Sequence, residues 1–201
     1  MADLLSRRFE TMDQHLVLAS ASPRRRELLS HLGIPFRIWE HPFIEQPLCH
    51  ESPESVAINL AVSKSEQVAR RIEPGDIVIT ADTIVWCDDK LLNKPESRDE
   101  AISMLTLLSG KTHTVITGVS IRSIIRVTSF ASVTGVHFRE LSQEEIVFYV
   151  DNYSPYDKAG AYGIQEWIGY IAVESISGSY FNVMGLPVQK VYSELIKFTD
   201  Y

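Results

Sequence analysis

The chain has 201 residues, 45% hydrophobic and 22% charged, with a formal net charge of −7. That is enough apolar material for a substantial core in one domain, and too acidic for general nucleic-acid binding, which takes a broad basic surface. No apolar run approaches the roughly 18 residues that span a bilayer, and residues 1–15 are polar and mixed in charge rather than built like a signal peptide, so a cytoplasmic protein with no membrane partner is expected.

Residues 1–14 show little periodicity and are expected to fray or form an appended turn. The first secure strand is predicted at 16–19, followed by Ser20-Ala21-Ser22-Pro23-Arg24-Arg25-Arg26. Ser22 is a good helix N-cap, Pro23 fits the first helical position and Gly33 stands where the helix should stop. Backbone N–H groups and the positive dipole end then lie beside Arg24 and Arg25, which is an anion site suited to phosphate. A second strand is predicted at 36–39 and a loop from about Glu45 to Glu51. Ser52-Pro53 opens a helix on which Ala57, Ala61, Lys64 and Val68 form a stripe, apolar except for the lysine.

Pro74-Gly75-Asp76 turns into the β-branched run at 77–81, a buried strand with Asp82-Thr83 at its end. The chain continues apolar to Cys87, turns at Asp88-Asp89 and returns through Lys90-Leu91-Leu92 to Asn93-Lys94-Pro95. Ser97 and Glu100 form a capping box for a helix that Gly110 closes, and residues 113–125 and 127–138 are antiparallel strands. A second box at Ser142 and Glu145 opens a helix that breaks at 152–154. A strand is predicted at 168–175, a turn at Gly178 and a last helix from 187 to about 197. The alternation predicts an α/β protein with a mixed sheet.

Cys49 and Cys87 stand in no metal-ligand spacing and read as packing residues in a reducing compartment. The six histidines also lack ligand spacing and read as structural or exposed, with His113, at a helix-to-strand junction, the one to watch. There is no G-x-S-x-G elbow, H-E-x-x-H motif or Walker lysine. Asp82, directly after a buried strand, occupies the kind of strand end where α/β proteins place active sites. The Asp88-Asp89 turn would fold Lys94 back beside it. A carboxylate, two lysines (Lys64 and Lys94) and the arginine-capped helix make a set for hydrolysing a phosphoanhydride, with Asp82 and Glu45 able to hold a hard cation such as Mg²⁺.

These motifs resemble the Maf family of nucleoside triphosphate pyrophosphatases over residues 16–195. Four blocks carry the likeness: Ala19-Ser20-Ala21-Ser22-Pro23-Arg24-Arg25-x-Glu27-Leu28-Leu29; Ala81-Asp82-Thr83; Lys94-Pro95 with Leu108-Ser109-Gly110-Lys111-Thr112-His113; and Asp157-Lys158-Ala159-Gly160-Ala161-Tyr162-Gly163-Ile164-Gln165 with Gly178-Ser179 and Gly185-Leu186-Pro187. The resemblance implies an elongated mixed β-sheet flanked by helices, with two lobes and an active-site cleft between them, often as a homodimer. Residues 16–201 would then be a single domain and 1–15 an N-terminal extension.

It also implies hydrolysis of a nucleoside triphosphate to the monophosphate and pyrophosphate, with Asp82 as proton acceptor and Mg²⁺ or Mn²⁺ held by Asp82 and Glu45. Ser20, Arg24, Arg25, Lys64 and Lys94 would bind the triphosphate, and Arg24, Thr83 and Gln165 would select the base. The block ending in Gln165 looks like the branch acting on dTTP and UTP, rather than the one linked to 7-methyl-GTP, because an amide both donates and accepts as the edge of thymine or uracil requires. The chain departs from the pattern at Asn93, for an expected glycine, and Asn59, for an expected arginine. Two alternatives are an ITP/XTP pyrophosphatase and a nucleotide-binding regulator of cell division and septum formation. The set Arg24, Lys64, Asp82 and Lys94 favours an enzyme, since a carboxylate repels a triphosphate unless a metal intervenes.

Overall fold

Strand β1 (His15–Leu18) is buried at its last three positions, as its Leu-Val-Leu sequence demands. The computed structural model, which describes residues 4–44 and 52–198, pairs it in parallel with two neighbours: β2 (Phe36–Ile38), Leu16 opposite Phe36, and β3 (Asp76–Cys87), Leu18 opposite Ile79. Parallel strands need crossovers, and helices α2 (Pro23–Ser30) and α3 (Pro53–Gln67) lie on those connections. Beyond β3 the sheet continues through β5 (Thr112–Arg122), β6 (Val127–Phe138) and β7 (Val173–Ser177), and β4 (Lys90–Leu92) pairs back on β3 as an antiparallel hairpin, making a mixed sheet of seven strands. Among the described residues no helix is long and apolar enough to cross a membrane.

The chain divides into two compact units. The first takes the chain up to Asp82, Thr117–Ser132 and the segment from Gly185 onward. Here α3 lies unusually close to the sheet. A Cβ on Gly118 of β5 would stand 2.0 Å from the Ala57 carbonyl oxygen, so only a glycine fits beneath that turn. One turn on, Thr80 Oγ1 donates to the Ala61 carbonyl at 2.7 Å. A turn further, Ser65 Oγ accepts from Arg122 Nε at 3.0 Å and from Ser120 Oγ at 3.2 Å. Ala57, Ala61 and Ser65 are spaced by four residues and fully buried: a small-residue face lets backbone approach backbone.

Residues 4–11 are more regular than their sequence suggests. Residues 4–11 form helix α1 (Leu4–Thr11), with Leu5 and Phe9 buried one turn apart and Ser6 Oγ donating to the Gly33 carbonyl at 2.9 Å. A pattern two turns long is too short to show a period, which is why it reads as aperiodic. The unit closes with α8 (Val188–Phe198), whose Val191, Leu195 and Phe198 are buried, close to the expected helix.

The second unit comprises Thr83–Ile116 and Val133–Met184. Its core joins α4 (Arg98–Leu108) and α5 (Gln143–Tyr153) through Leu105, Leu108, Phe138, Tyr149 and Val150. Of the two capping boxes, Ser142 with Glu145 forms completely, while at Ser97 the serine caps the Glu100 N–H but Glu100 reaches the Glu96 N–H instead. The predicted strand at 168–175 is corrected: helix α6 (Trp167–Ala172) occupies its first part and only Val173–Ser177 is strand. Short apolar runs do not distinguish the two states, and burial of Ile168 and Ala172 at helical spacing decides for the helix. A further short helix, α7 (Tyr180–Met184), follows Gly178 and was not expected. Its buried Asn182 donates to the Val115 carbonyl at 3.1 Å and to Thr134 Oγ1 at 2.9 Å.

His113 is a core residue, its Nε2 2.8 Å from the Tyr162 hydroxyl and its ring edge-on to those of Phe138 and Tyr162. Burial pushes its pKa down to about 4, helped by His137. Cys87 is buried, as a packing residue should be, while Cys49 lies outside the described residues.

Gly118→Ala is expected to lower the unfolding free energy by about 1–3 kcal/mol, read by urea denaturation, because the methyl group meets a backbone carbonyl that cannot rotate away. His113 is neutral when folded and protonates more readily when unfolded, so its contribution is complete above pH 6.5 and is lost as pH falls toward about 4. That span is worth about 3 kcal/mol at most, and His113→Gln should flatten the stability profile between those limits.

Candidate functional site

The turn after β1 forms as its residues require. The Ser22 N–H donates to Ser20 Oγ at 3.2 Å, Ser22 Oγ accepts from the Arg25 N–H at 3.4 Å, and Pro23 takes the first turn of α2. Ser20 is buried against the strand end. Arg25 turns inward, its Nε donating to the Gly185 carbonyl at 2.8 Å. Arg24 stands beside it, so the positive end of the helix dipole carries both guanidinium groups.

Lys64, the misfit on the apolar stripe of α3, explains itself here. Its Nζ lies 3.0 Å from Asp82 Oδ1, and Arg25 Nη2 lies 3.9 Å from the same oxygen. Lys64 and Arg25 side chains are each 13% exposed and that of Asp82 17%. Burial pushes the Arg25 guanidinium below the usual arginine value, Asp82 opposes that, and Arg24 adds to it. The guanidinium stays charged nonetheless, which means the fold bears an uncomfortable cation in this place. Lys64 Nζ also sits 5.8 Å from the Phe43 ring centroid, and Gln67 ties α3 to Ile44 through both backbone groups at 3.0 Å.

Asp82 does not end its strand, as expected, but lies inside β3. The reason is a change of partner. Strand β1 pairs with β3 only as far as Ile79, and β4 takes over from Val85. Asp82 therefore stands past the carboxyl end of β1, where the parallel neighbour has turned away into α2. The edge that matters is that of β1.

The first unit thus brings together Ser20, Arg24, Arg25, Lys64 and Asp82. Thr83, Lys94 and Gln165 belong to the second unit. Thr83 follows Asp82 on β3 and is half-buried. Lys94 lies two residues beyond β4, exposed, with Pro95 buried after it. Gln165 is half-buried, and its Oε1 is buried without a hydrogen-bond partner among the described residues. Glu45 lies outside the described residues.

Sequence reasoning passed over a group next to Gln165. Lys158 Nζ lies 2.6 Å from Asp157 and 3.1 Å from Glu166 Oε1, the Tyr149 hydroxyl donates to Glu166 Oε2, and the Gly163 N–H donates to that hydroxyl at 3.1 Å. The signal available was Lys158 itself, a lone lysine entering a run of small and apolar residues.

A helix N-terminus with two arginines, a half-buried lysine and one carboxylate gives this α/β protein a cationic corner of the kind that suits an anion. The chain belongs to the Maf family: the family model described as Maf-like protein matches residues 15–198. Among its relatives, a dTTP/UTP pyrophosphatase of Phocaeicola vulgatus is 51% identical over 183 residues, 90% of this chain and 95% of that one. Those of Bacteroides fragilis and Parabacteroides distasonis are each 50% identical, over 90% and 91% of this chain and 94% and 95% of theirs. A nucleoside-triphosphatase / dITP/XTP pyrophosphatase from Mycobacterium abscessus, 10% identical, covers 92% of this chain and 94% of its own with a TM-score of 0.41, too slight a likeness to carry an argument.

Asp82 is the anion facing Lys64 and Arg25, so neutralising it should sharpen the site's affinity for phosphates. Pyrophosphate is expected to raise the melting temperature of the protein, and to raise it further in Asp82→Asn, read by thermal denaturation with and without the ligand. An equal or smaller shift in the variant counts against an anion seat at these cations.

Proposed function

We propose that the protein hydrolyses dTTP and UTP to the monophosphate and pyrophosphate. One observation carries the reading: Asp82 is held 3.0 Å from Lys64 beside the arginine-bearing N-terminus of α2, in a chain about half identical to dTTP/UTP pyrophosphatases. Arg24, Arg25, Lys64 and Lys94 bind the triphosphate, the arginines by their forked donors and the lysines as compact charges, and Ser20 adds a hydroxyl. Asp82 Oδ1 faces two cations, Lys64 at 3.0 Å and Arg25 at 3.9 Å. The Asp82 carboxylate accepts a proton from water as the water oxygen bonds to the α-phosphorus. The bond from the α-phosphorus to the α–β bridging oxygen breaks, and its electrons leave with that oxygen on pyrophosphate, where the cations stabilise them.

The residues fit a divalent cation of the kind that binds mainly through waters and substrate phosphates. Among the described residues no group of three or more His, Cys, Asp or Glu side chains is placed to hold a metal alone, so most of the cation's ligands would be water and phosphate oxygens. Asp82, with Glu45, would hold Mg²⁺ or Mn²⁺, which would neutralise phosphate charge and polarise the reacting phosphoryl group. Thr83, Arg24 and Gln165 select the base. The unpartnered Gln165 Oε1 suits the N3–H of uracil or thymine, while its amide N–H suits the adjacent carbonyl.

A panel of dTTP, UTP, CTP, ITP, XTP and 7-methyl-GTP, assayed for pyrophosphate release with Mg²⁺ and with Mn²⁺, tests the reading. UTP and dTTP should be turned over fastest, and Asp82→Asn should abolish turnover while keeping the wild-type circular dichroism spectrum. Faster turnover of 7-methyl-GTP or ITP reassigns the branch, and tight binding without turnover makes the protein a nucleotide-binding module.

A further inference from the structure

A threonine stands in the run Ile77-Val78-Ile79-Thr80-Ala81, where every other side chain is apolar. Thr80 is fully buried. Valine has nearly the same shape, and a hydroxyl is unfavourable to bury unless it is bonded, so the polar atom needs a reason beyond packing. Its bond is to the main chain of α3: Thr80 Oγ1 donates to the Ala61 carbonyl at 2.7 Å.

That bond stands next to the reacting groups. Thr80 and Asp82 are two residues apart on β3 and share a face of the strand. Ala61 and Lys64 are three apart on α3 and share a side of the helix. The same strand and the same helix are thus joined twice, by Thr80 with Ala61 and, one step on, by Asp82 with Lys64 at 3.0 Å. Two residues of strand advance about 6.7 Å and three of helix about 4.5 Å, a difference within the reach of a lysine stem.

The helix needs such a fixed point. Its face at Ala57 and Ala61 is small and apolar, and apolar contact has no preferred register, whereas a hydrogen bond has direction and short range. Ala57 over Gly118, and Ser65 with Ser120 and Arg122, tie α3 to β5. Thr80 ties it to β3, the strand that carries Asp82. A triphosphate that draws Lys64 toward its own oxygens weakens the ion pair, but it leaves the Thr80 bond, which involves no charge, in place.

We propose that Thr80 is a positioning residue for hydrolysis: its hydroxyl fixes the register of α3 on β3 and so keeps Lys64 within ion-pair distance of Asp82. The inference rests on Asp82 as the proton acceptor of a pyrophosphatase acting on UTP and dTTP.

The test compares kcat and KM for UTP in the wild type, Thr80→Val, Thr80→Ala and Thr80→Ser, with circular dichroism spectra and melting temperatures alongside. Thr80→Val removes the hydroxyl and keeps the shape, Thr80→Ala removes hydroxyl and methyl, and Thr80→Ser keeps the hydroxyl alone. We expect kcat to fall about tenfold in the first two and to stay within about threefold of the wild type in Thr80→Ser. KM should change little, since Arg24, Arg25 and Lys94 still meet the triphosphate. A role confined to stability would lower the melting temperature and leave kcat untouched, and an unchanged kcat in Thr80→Val overturns the proposal. A Thr80→Ser enzyme as impaired as Thr80→Val also overturns it, because the hydroxyl is then not what matters. A wild type that releases no pyrophosphate from UTP overturns the pyrophosphatase reading and the role of Thr80 with it, so the wild-type assay alone tells the two failures apart.

Discussion

The closeness of α3 to the sheet is the constraint on which the first unit depends. Three successive turns of the helix meet the strands through backbone or short side chains: Ala57 over Gly118, Ala61 with Thr80, Ser65 with Ser120 and Arg122. A larger residue at any of them would lift the helix, and Lys64 would rise with it. Close packing is rigid because the contacting atoms lie on the main chain, where no rotamer change relieves a clash. The 3.0 Å approach of Lys64 to Asp82 is thus set by residues that take no part in charge.

Electrostatics completes what packing begins. Three cations, Arg24, Arg25 and Lys64, share their corner of the unit with the single carboxylate of Asp82. Desolvating a guanidinium is unfavourable unless it is well paired, and Arg25, donating to the Gly185 carbonyl and 3.9 Å from Asp82, is nonetheless pushed by burial below the usual arginine value. A desolvated cation is stabilised further by any ligand that brings its own negative charge. A protein with a net charge of −7 that concentrates positive charge in this way repels large polyanions while admitting small ones.

Much of this was legible in the residues. The Ser-Pro-Arg-Arg turn announced its cap and its charge, the capping boxes and the β-branched runs marked the principal helices and strands, and Lys64 drew notice by breaking an apolar stripe. The position of Asp82 was misread, because strand pairing is a property of partners distant in sequence and nothing local says that β1 ends three residues before it while β4 begins three residues after. Helix α6 was read as strand because six apolar residues suit either state until their neighbours are known. The bonds of Tyr149 to Gly163 and Glu166 are illegible for the same reason: hydrogen bonds across 14 and 17 positions leave no periodic trace.

The charge excess at the N-terminus of α2 also bears on the end of a catalytic cycle. Groups arranged to hold a triphosphate meet its departing pyrophosphate half with undiminished attraction, since that fragment carries most of the negative charge. Where product departure limits turnover, ionic strength acts on it in the opposite sense to substrate capture, raising the rate as screening loosens the product until capture itself begins to fail. The protein would work best within a window of salt whose limits are set by the same three cations.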